Sequence, residues 1–157
     1  MQDQAIFVVF RVGPGRYCLP LASVMRIVHA VELAPLPGAP GLVLGAMSME
    51  GLILPVFGLR RLFGLEERPV QPSDRFVIAR TPRRTVALAV DDAEGVVERA
   101  QSSVAGILDI APGSSQIRGV LPLEDGLVLV HDLEKLLSKD DEGALEAAMG
   151  KEAAGGA

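Results

Sequence analysis

GAMSMEGLILPVFGLRRLF, residues 45–63, and GVLPLEDGLVLVHDLEKLL, residues 119–137, are two versions of one pattern. Each runs strand, acidic-Gly turn, apolar strand and short helix. Glu50-Gly51 leads through Leu52-Ile53-Leu54 to Leu59-Arg60-Arg61-Leu62, and Asp125-Gly126 leads through Leu127-Val128-Leu129 to Leu133-Glu134-Lys135-Leu136, with the turns offset by one residue. Such an echo implies two related barrel-like units. Asp132 stands where an N-cap belongs, because its carboxylate can accept from the free N–H groups of a first helical turn; Gly58 holds that place in the first copy and caps less well.

Outward from the echo, the chain reads as a series of short strands. Ile6 to Val12 and Arg16 to Pro20 form a hairpin around Gly13-Pro14-Gly15. Leu21 to Ile27 reads as one or two helical turns with Leu21, Val24 and Met25 inward, before Ile27 to Val31 re-extends. Pro35, Pro37 and Pro40, with Gly38 and Gly41, enforce a loop. Residues 66–73 are a polar link. Arg75 to Arg80, Thr85 to Val90 and Gly95 to Arg99 supply further strands, with Val86, Leu88 and Val90 on one face. A loop follows from Gln101 to Ser115, and Lys139 to Met149 is a charged, Ala-rich terminal helix whose end frays from Ala153.

Composition agrees. The 157 residues are 49% hydrophobic, enough for one compact domain or two small units sharing a core. With five Phe, one Tyr and no Trp, that core is built from Val, Leu, Ile and Ala in β-branched runs, which favours an all-β fold. The net charge of -5 and the lack of a Lys/Arg stripe argue against nucleic acid as a partner. Arg60-Arg61 and Arg83-Arg84 read as a solvated helix face and a solvated hairpin tip. The apolar stretch from Leu42 to Leu59 is broken by Glu50, Gly51, Pro55 and Gly58, so direct membrane insertion is not expected, and no leader pattern opens the chain. One cysteine, Cys18, in an apolar run acts as a small hydrophobe and fits a reducing cytoplasm.

From Phe7 to about Leu137 the chain resembles the CheW-like domain family. The motifs are Phe7-Val8-Val9-Phe10, Tyr17-x-Leu19-Pro20-Leu21-x-x-Val24, Pro35-Leu36-Pro37, Gly45-x-x-x-x-x-Gly51-x-x-x-Pro55-Val56-x-x-Leu59, Val90-Asp91 with Gly95-Val96, and Gly119 onward to Asp132-Leu133. The resemblance implies two SH3-like five-stranded β-barrel subdomains, with short helices, over residues 5–138, followed by the tail 139–157. It also implies a non-enzymatic cytoplasmic adaptor without cofactor. Its partners would be the regulatory domain of a CheA-type histidine kinase and the cytoplasmic tip of a methyl-accepting chemoreceptor. Val24, Arg26, Ser48, Met49, Glu50, Val56 and Val96 are the partner-binding residues so implied, with Val24, Arg26 and Val56 assigned to the kinase and Glu50 to the receptor.

Departures from the family pattern bear on function. The usual Asn-Leu-Arg-Gly signature is Ser48-Met49-Glu50-Gly51, so a receptor-coupling arginine is replaced by a carboxylate. The usual Val-x-Glu is Val24-x-Arg26, a second reversal, and the acidic residue before the first helix is Gly58. An accessory adaptor that keeps one partner surface, or serves a non-flagellar motility pathway, is the alternative within this class.

An enzyme reading is the distant alternative, and it would start from His29, His131, Asp91, Asp92, Glu94 and Ser48. Asp91-Asp92-x-Glu94 lacks the ligand spacing of a calcium loop and reads more simply as a polar turn. His29 and His131 have no His-x-x-x-His or Cys-x-x-Cys partner, and Gly13-Pro14-Gly15 lacks the Gly-Lys-Ser/Thr of a phosphate loop. Gly51 and Gly126 are explained by turn geometry. Glu50, at an exposed hairpin tip, costs the fold little and is free to answer to a partner.

Overall fold

The computed structural model describes residues 4–106, 117–133 and 139–155. The chain runs β1 (Gln4–Val12), β2 (Gly15–Pro20), β3 (Val24–His29), β4 (Val43–Met49), β5 (Leu52–Gly58), α1 (Leu59–Leu62), β6 (Arg75–Arg80), β7 (Thr85–Val90), β8 (Asp92–Ala100), β9 (Ala105–Gly106), β10 (Ile117–Leu123), β11 (Gly126–His131) and α2 (Lys139–Gly155). The fold is all-β, built as two SH3-like units. One sheet is ordered β8-β1-β2-β11-β10-β9, its last strand only two residues long, and the other β3-β6-β7-β5-β4.

The two orders match element for element. Each sheet holds an antiparallel hairpin (β1–β2 or β6–β7) whose second strand lies parallel to the second strand of an echo hairpin (β11 or β5). The strand that follows each hairpin leaves its own sheet: β3 pairs with β6, and β8 crosses back to pair with β1. The units therefore exchange a strand, and neither sheet is complete without the other.

Glycine at two matched positions shows how deep the echo goes. A Cβ on Gly45 would lie 2.6 Å from the Ala34 carbonyl oxygen, and one on Gly119 would lie 2.6 Å from that of Ala105. In both units a neighbouring segment pairs directly against the strand at that point, through the Ala34–Ala46 bridge and through β9 on β10. Only glycine admits such close backbone approach.

Strand alternation divides the apolar residues among three clusters. Phe76, Ile78 and Ala87, with Met47, Leu54 and Val56, fill the inside of one unit, while Phe7, Val9, Cys18, Leu121, Val128 and Val130 fill the other. The opposite faces of the same strands, including Phe10, Val12, Leu19, Val77, Ala79, Val86, Leu88 and Val90, meet in a shared core between the sheets.

Three local expectations are corrected. Only Leu21–Ser23 is helical, as a single 3-10 turn; β3 begins at Val24, because Val24, Ile27 and Val28 are β-branched and a sheet partner is available. Leu21 and Met25 accordingly face outward. Arg84 is not a solvated hairpin tip: its Nη2 lies 2.6 Å from Glu146 and 3.9 Å from Glu142 of α2, and its side chain is only 16% exposed. That helix brings Leu145 and Ala148 into the shared core. Within the loop read from Gln101, a 3-10 turn at Gln101–Ser103 and strand β9 are ordered, and the rest of that loop lies outside the described residues. The short helix expected after Asp132 lies outside them too, apart from its buried first residue, Leu133.

Candidate functional site

β3 and β4 are the two ends of the five-stranded sheet order, yet Arg26 on β3 reaches Glu50 at the β4–β5 tip, with Nη1 3.3 Å from Oε1. The sheet has rolled until its ends approach, and the ion pair bridges the resulting seam. Both side chains stay in solvent, 50% and 70% exposed. Exposed apolar side chains flank both residues along the chain, Met25 and Ile27 beside Arg26 on β3, and Leu52 and Ile53 just after the Glu50-Gly51 turn on β5. An exposed ion pair between strands that leave large apolar side chains in solvent has the composition of a protein-recognition surface.

Backbone geometry adds weight to Glu50. It has φ of 52°, the single non-glycine residue with positive φ among the described residues, and Gly51 follows at 85°. A two-residue hairpin loop with positive φ at both centres is the form a type I′ turn takes, and Asn or Gly fills its first position at less cost than Glu, by roughly 1 kcal/mol. Glu50 is thus not indifferent to the fold, as the sequence suggested; its carboxylate is kept against a backbone preference.

The other residues singled out from sequence are dispersed. Val24 is half-buried at the start of β3, Ser48 and Met49 end β4 beside Glu50, and Val96 is 61% exposed on β8, in the other sheet. Val56 has no exposed surface and lies in the inner cluster, out of direct reach of a partner.

The topologically matching seam in the other unit is tied differently. Arg16 donates to Glu94 of β8 at 2.8 Å and to Asp125 of the β10–β11 tip at 2.9 Å, and Arg11 Nη2 lies 2.6 Å from the second oxygen of Glu94. Hydrogen bonds from Arg11, and then Arg16, hold the Glu94 carboxyl below the usual range despite partial burial, and the Arg16 bond does the same for Asp125. One seam is a network. The other is a single exposed pair.

Carboxylates that suggested a cation site meet guanidinium groups instead. Asp91 accepts from the Gly13 N–H at 2.8 Å, from Arg60 Nη2 at 2.6 Å and from Arg68 Nη2 at 3.0 Å. Arg68 also grips buried Asp74 with two bonds, at 2.7 and 2.8 Å. Burial alone would raise the Asp74 carboxyl, but Arg68 and the Gln71 N–H outweigh it and hold it below the usual range. Among the described residues no three His, Cys, Asp or Glu side chains converge as a metal site. Burial pushes the Cys18 thiol up to about 12, so it is no thiolate nucleophile at neutral pH.

His29 lies on β3 and His131 on β11, in different sheets. His131 is 1% exposed, with Phe63 edge-on at 5.3 Å between centroids, and among the described residues neither ring nitrogen has a hydrogen-bond partner. Burial lowers its pKa to about 4, with Asp132 pulling the other way. Sequence reasoning missed this burial. The signal was available, since His131 falls in the alternation with Leu129, which packs against the shared core.

Comparison with known proteins places the chain. The model of the CheW-like domain family matches residues 7–141. The chain is 28% identical over 141 residues to the chemotaxis protein CheW of Rhizobium meliloti (strain 1021), covering 87% of this chain and 90% of that one. It is 30% identical over 90 residues to protein FrzA of Myxococcus xanthus, covering 57% of this chain and 56% of that one. The crystal structure of the scaffolding protein TtCheW from Thermoanaerobacter tengcongensis superposes with a TM-score of 0.80 at 22% identity, over 87% of this chain and 94% of the other.

Proposed function

That the chain belongs to the CheW-like domain family is the premise from which we propose its function: a non-enzymatic cytoplasmic adaptor of chemotaxis-type signalling that joins a chemoreceptor tip to the regulatory domain of a CheA-type histidine kinase. The observation that carries the finer reading is the exposed Arg26–Glu50 pair, 3.3 Å apart, on strands that also leave Met25, Ile27, Leu52 and Ile53 in solvent. The family resemblance distributes these positions between two partners, but groups in contact are read together. Arg26 therefore goes with Glu50 to the receptor tip, and both family charges are exchanged at one spot. A partner fitted to the usual polarity meets like charge at both positions, which costs several kcal/mol, whereas a partner changed in step meets complementary charge. Kinase binding then falls to other surface, with exposed Val96 on β8 as its apolar anchor.

Pull-downs with the host's receptor tips and kinase regulatory domains test this. Arg26→Glu and Glu50→Arg should each weaken cognate receptor binding at least tenfold and leave kinase binding within twofold. Arg26→Glu/Glu50→Arg together should bind an ordinary receptor tip better than the wild-type chain does. Unchanged receptor binding in all three variants would remove the seam from the receptor contact.

A further inference from the structure

The two units carry the same irregularity at the same place. Along β3 the register against β6 steps from Val24 opposite Ala79 to Arg26 opposite Ile78, which leaves Met25 as an extra, bulged residue. Along β8 the register against β1 steps from Ala93 opposite Phe10 to Gly95 opposite Val9, which leaves Glu94 as one. The hairpins align the two. Ile78 pairs with Ala87, beside Val56, and Val9 pairs with Cys18, beside Val130. Val56 and Val130 in turn face the matched glycines Gly45 and Gly119. Met25 is thus the counterpart of Glu94. Two residues along the hairpin from Ile78 and Val9, Arg80 is the counterpart of Arg11, and their cross-strand neighbours Thr85 and Arg16 correspond as well.

Side-chain contacts agree with this alignment: Arg16 donates to Glu94 at 2.8 Å, and the Thr85 hydroxyl donates to the Met25 sulfur at 3.9 Å. In the second unit Arg11 and Arg16 both meet the Glu94 carboxylate, and the charges are matched. The first unit keeps an arginine and lacks the carboxylate. Arg80 is exposed and, among the described residues, makes no ion pair or side-chain hydrogen bond, although Asp132 lines the same cleft. Met25 does not exchange the lost charge for packing, since it is 49% exposed. The bulge presents a thioether to solvent directly beside Arg26, and nothing in the fold requires it there.

We propose that Arg80, Thr85 and Met25 form a docking site for an acidic side chain of the protein partner that reads the Arg26–Glu50 pair. The partner's carboxylate takes, on Arg80, the place that Glu94 holds against Arg11 in the other unit. A guanidinium recognises a carboxylate through paired N–H bonds. The Thr85 hydroxyl is directed at a thioether, a weak acceptor, and a carboxylate oxygen satisfies it better. Met25 gives adaptable apolar contact to the methylene groups of an incoming Asp or Glu. The site rests on the recognition role of Arg26–Glu50, because Arg26 is the next residue of β3.

Two measurements on the full chain test it, the first without any partner. Met25→Glu supplies in cis the carboxyl that the second unit has at this position. By nuclear magnetic resonance the introduced carboxyl should titrate below the ordinary Glu range, and adding Arg80→Gln should return it toward that range. Ordinary titration in both backgrounds would overturn the proposal, because the site then has no hold on a carboxylate. In binding to the cognate receptor tip, Arg80→Gln and Met25→Glu should each weaken the complex about fivefold or more, the first by removing the cation and the second by occupying it. Met25→Leu keeps the apolar contact and should bind within about twofold of the wild-type chain. If Arg26→Glu weakens binding while Arg80→Gln and Met25→Glu do not, the docking site falls and the reading of the seam stands. If no variant changes binding, Arg26→Glu included, both fall.

Discussion

Arg26 and Glu50 stand at opposite ends of the five-stranded sheet order and 3.3 Å apart in space. The pair is where the seam of the unit shows in its side chains. Because both groups are mostly in water, their attraction contributes about 0 to 1 kcal/mol to folding. Breaking it by Arg26→Ala should therefore shift the chemical-denaturation midpoint by no more than the equivalent of about 1 kcal/mol. A larger loss would mean that the pair closes the barrel and does not serve recognition alone.

Glu50 itself should be replaceable with a gain. At φ of 52° a side chain other than Asn, Asp or Gly is strained. Glu50→Asn is expected to stabilise the chain by about 0.5–1 kcal/mol in urea denaturation while weakening receptor binding. Glu50→Val, β-branched at the same position, should destabilise by at least 1 kcal/mol. If Asn proves less stable than Glu, the ion pair outweighs the backbone cost.

Much of this architecture was legible because it rests on local pattern. Alternation put Val86, Leu88 and Val90 on one face, and all three line the shared core. The echo around Gly45 and Gly119 announced two units, and both glycines answer to the same backbone approach. Pattern tells which face a residue occupies, however, and not which sheet its strand joins. The exchange of β3 and β8 between units was hidden for that reason, and with it the meeting of Arg26 and Glu50, whose opposite departures from the family read as separate events. Leu21 to Ile27 misled because one 3-10 turn and a β-bulge near Met25 imitate helical spacing over so short a run. Arg84, Arg68 and Asp74 were invisible as partners, since nothing in a charged residue's neighbours names the carboxylate it will meet.

Asp74 is 5% exposed and depends on Arg68, whose two bonds offset the cost of burying its charge. Removing one partner of such a pair leaves the other buried and uncompensated. Arg68→Ala should thus cost about 2–4 kcal/mol by urea denaturation, more than Arg61→Ala, whose exposed pair with Glu67 is worth about 0–1 kcal/mol. In Arg68→Ala the Asp74 carboxyl should titrate above its wild-type position, because burial then acts against a weaker opposing pull.

The pH dependence of stability should carry a signature of His131. Its folded pKa, about 4, lies below the ordinary value of 6.5 that it regains on unfolding. Between those two pH values the unfolded chain binds a proton that the folded chain refuses, so the free energy of unfolding falls as pH falls. The contribution is complete above pH 6.5, is lost progressively down to about pH 4 and is flat below that. A gap of this width corresponds to roughly 3 kcal/mol. The carboxylates act in a separate window: Asp74 and Glu94 have depressed folded pKa values, so their stabilisation is present above the ordinary carboxylate range and is lost as pH falls below it. His131→Val should therefore flatten the stability profile between pH 6.5 and 4 and leave the acid limb in place, as measured by urea denaturation at a series of pH values. At neutral pH the variant should lie within about 1–2 kcal/mol of wild type, since it removes a polar ring unpaired among the described residues but leaves a smaller side chain against Phe63. If the slope in the upper window survives the substitution, the buried imidazole is not its source, and another group must take up the proton on unfolding.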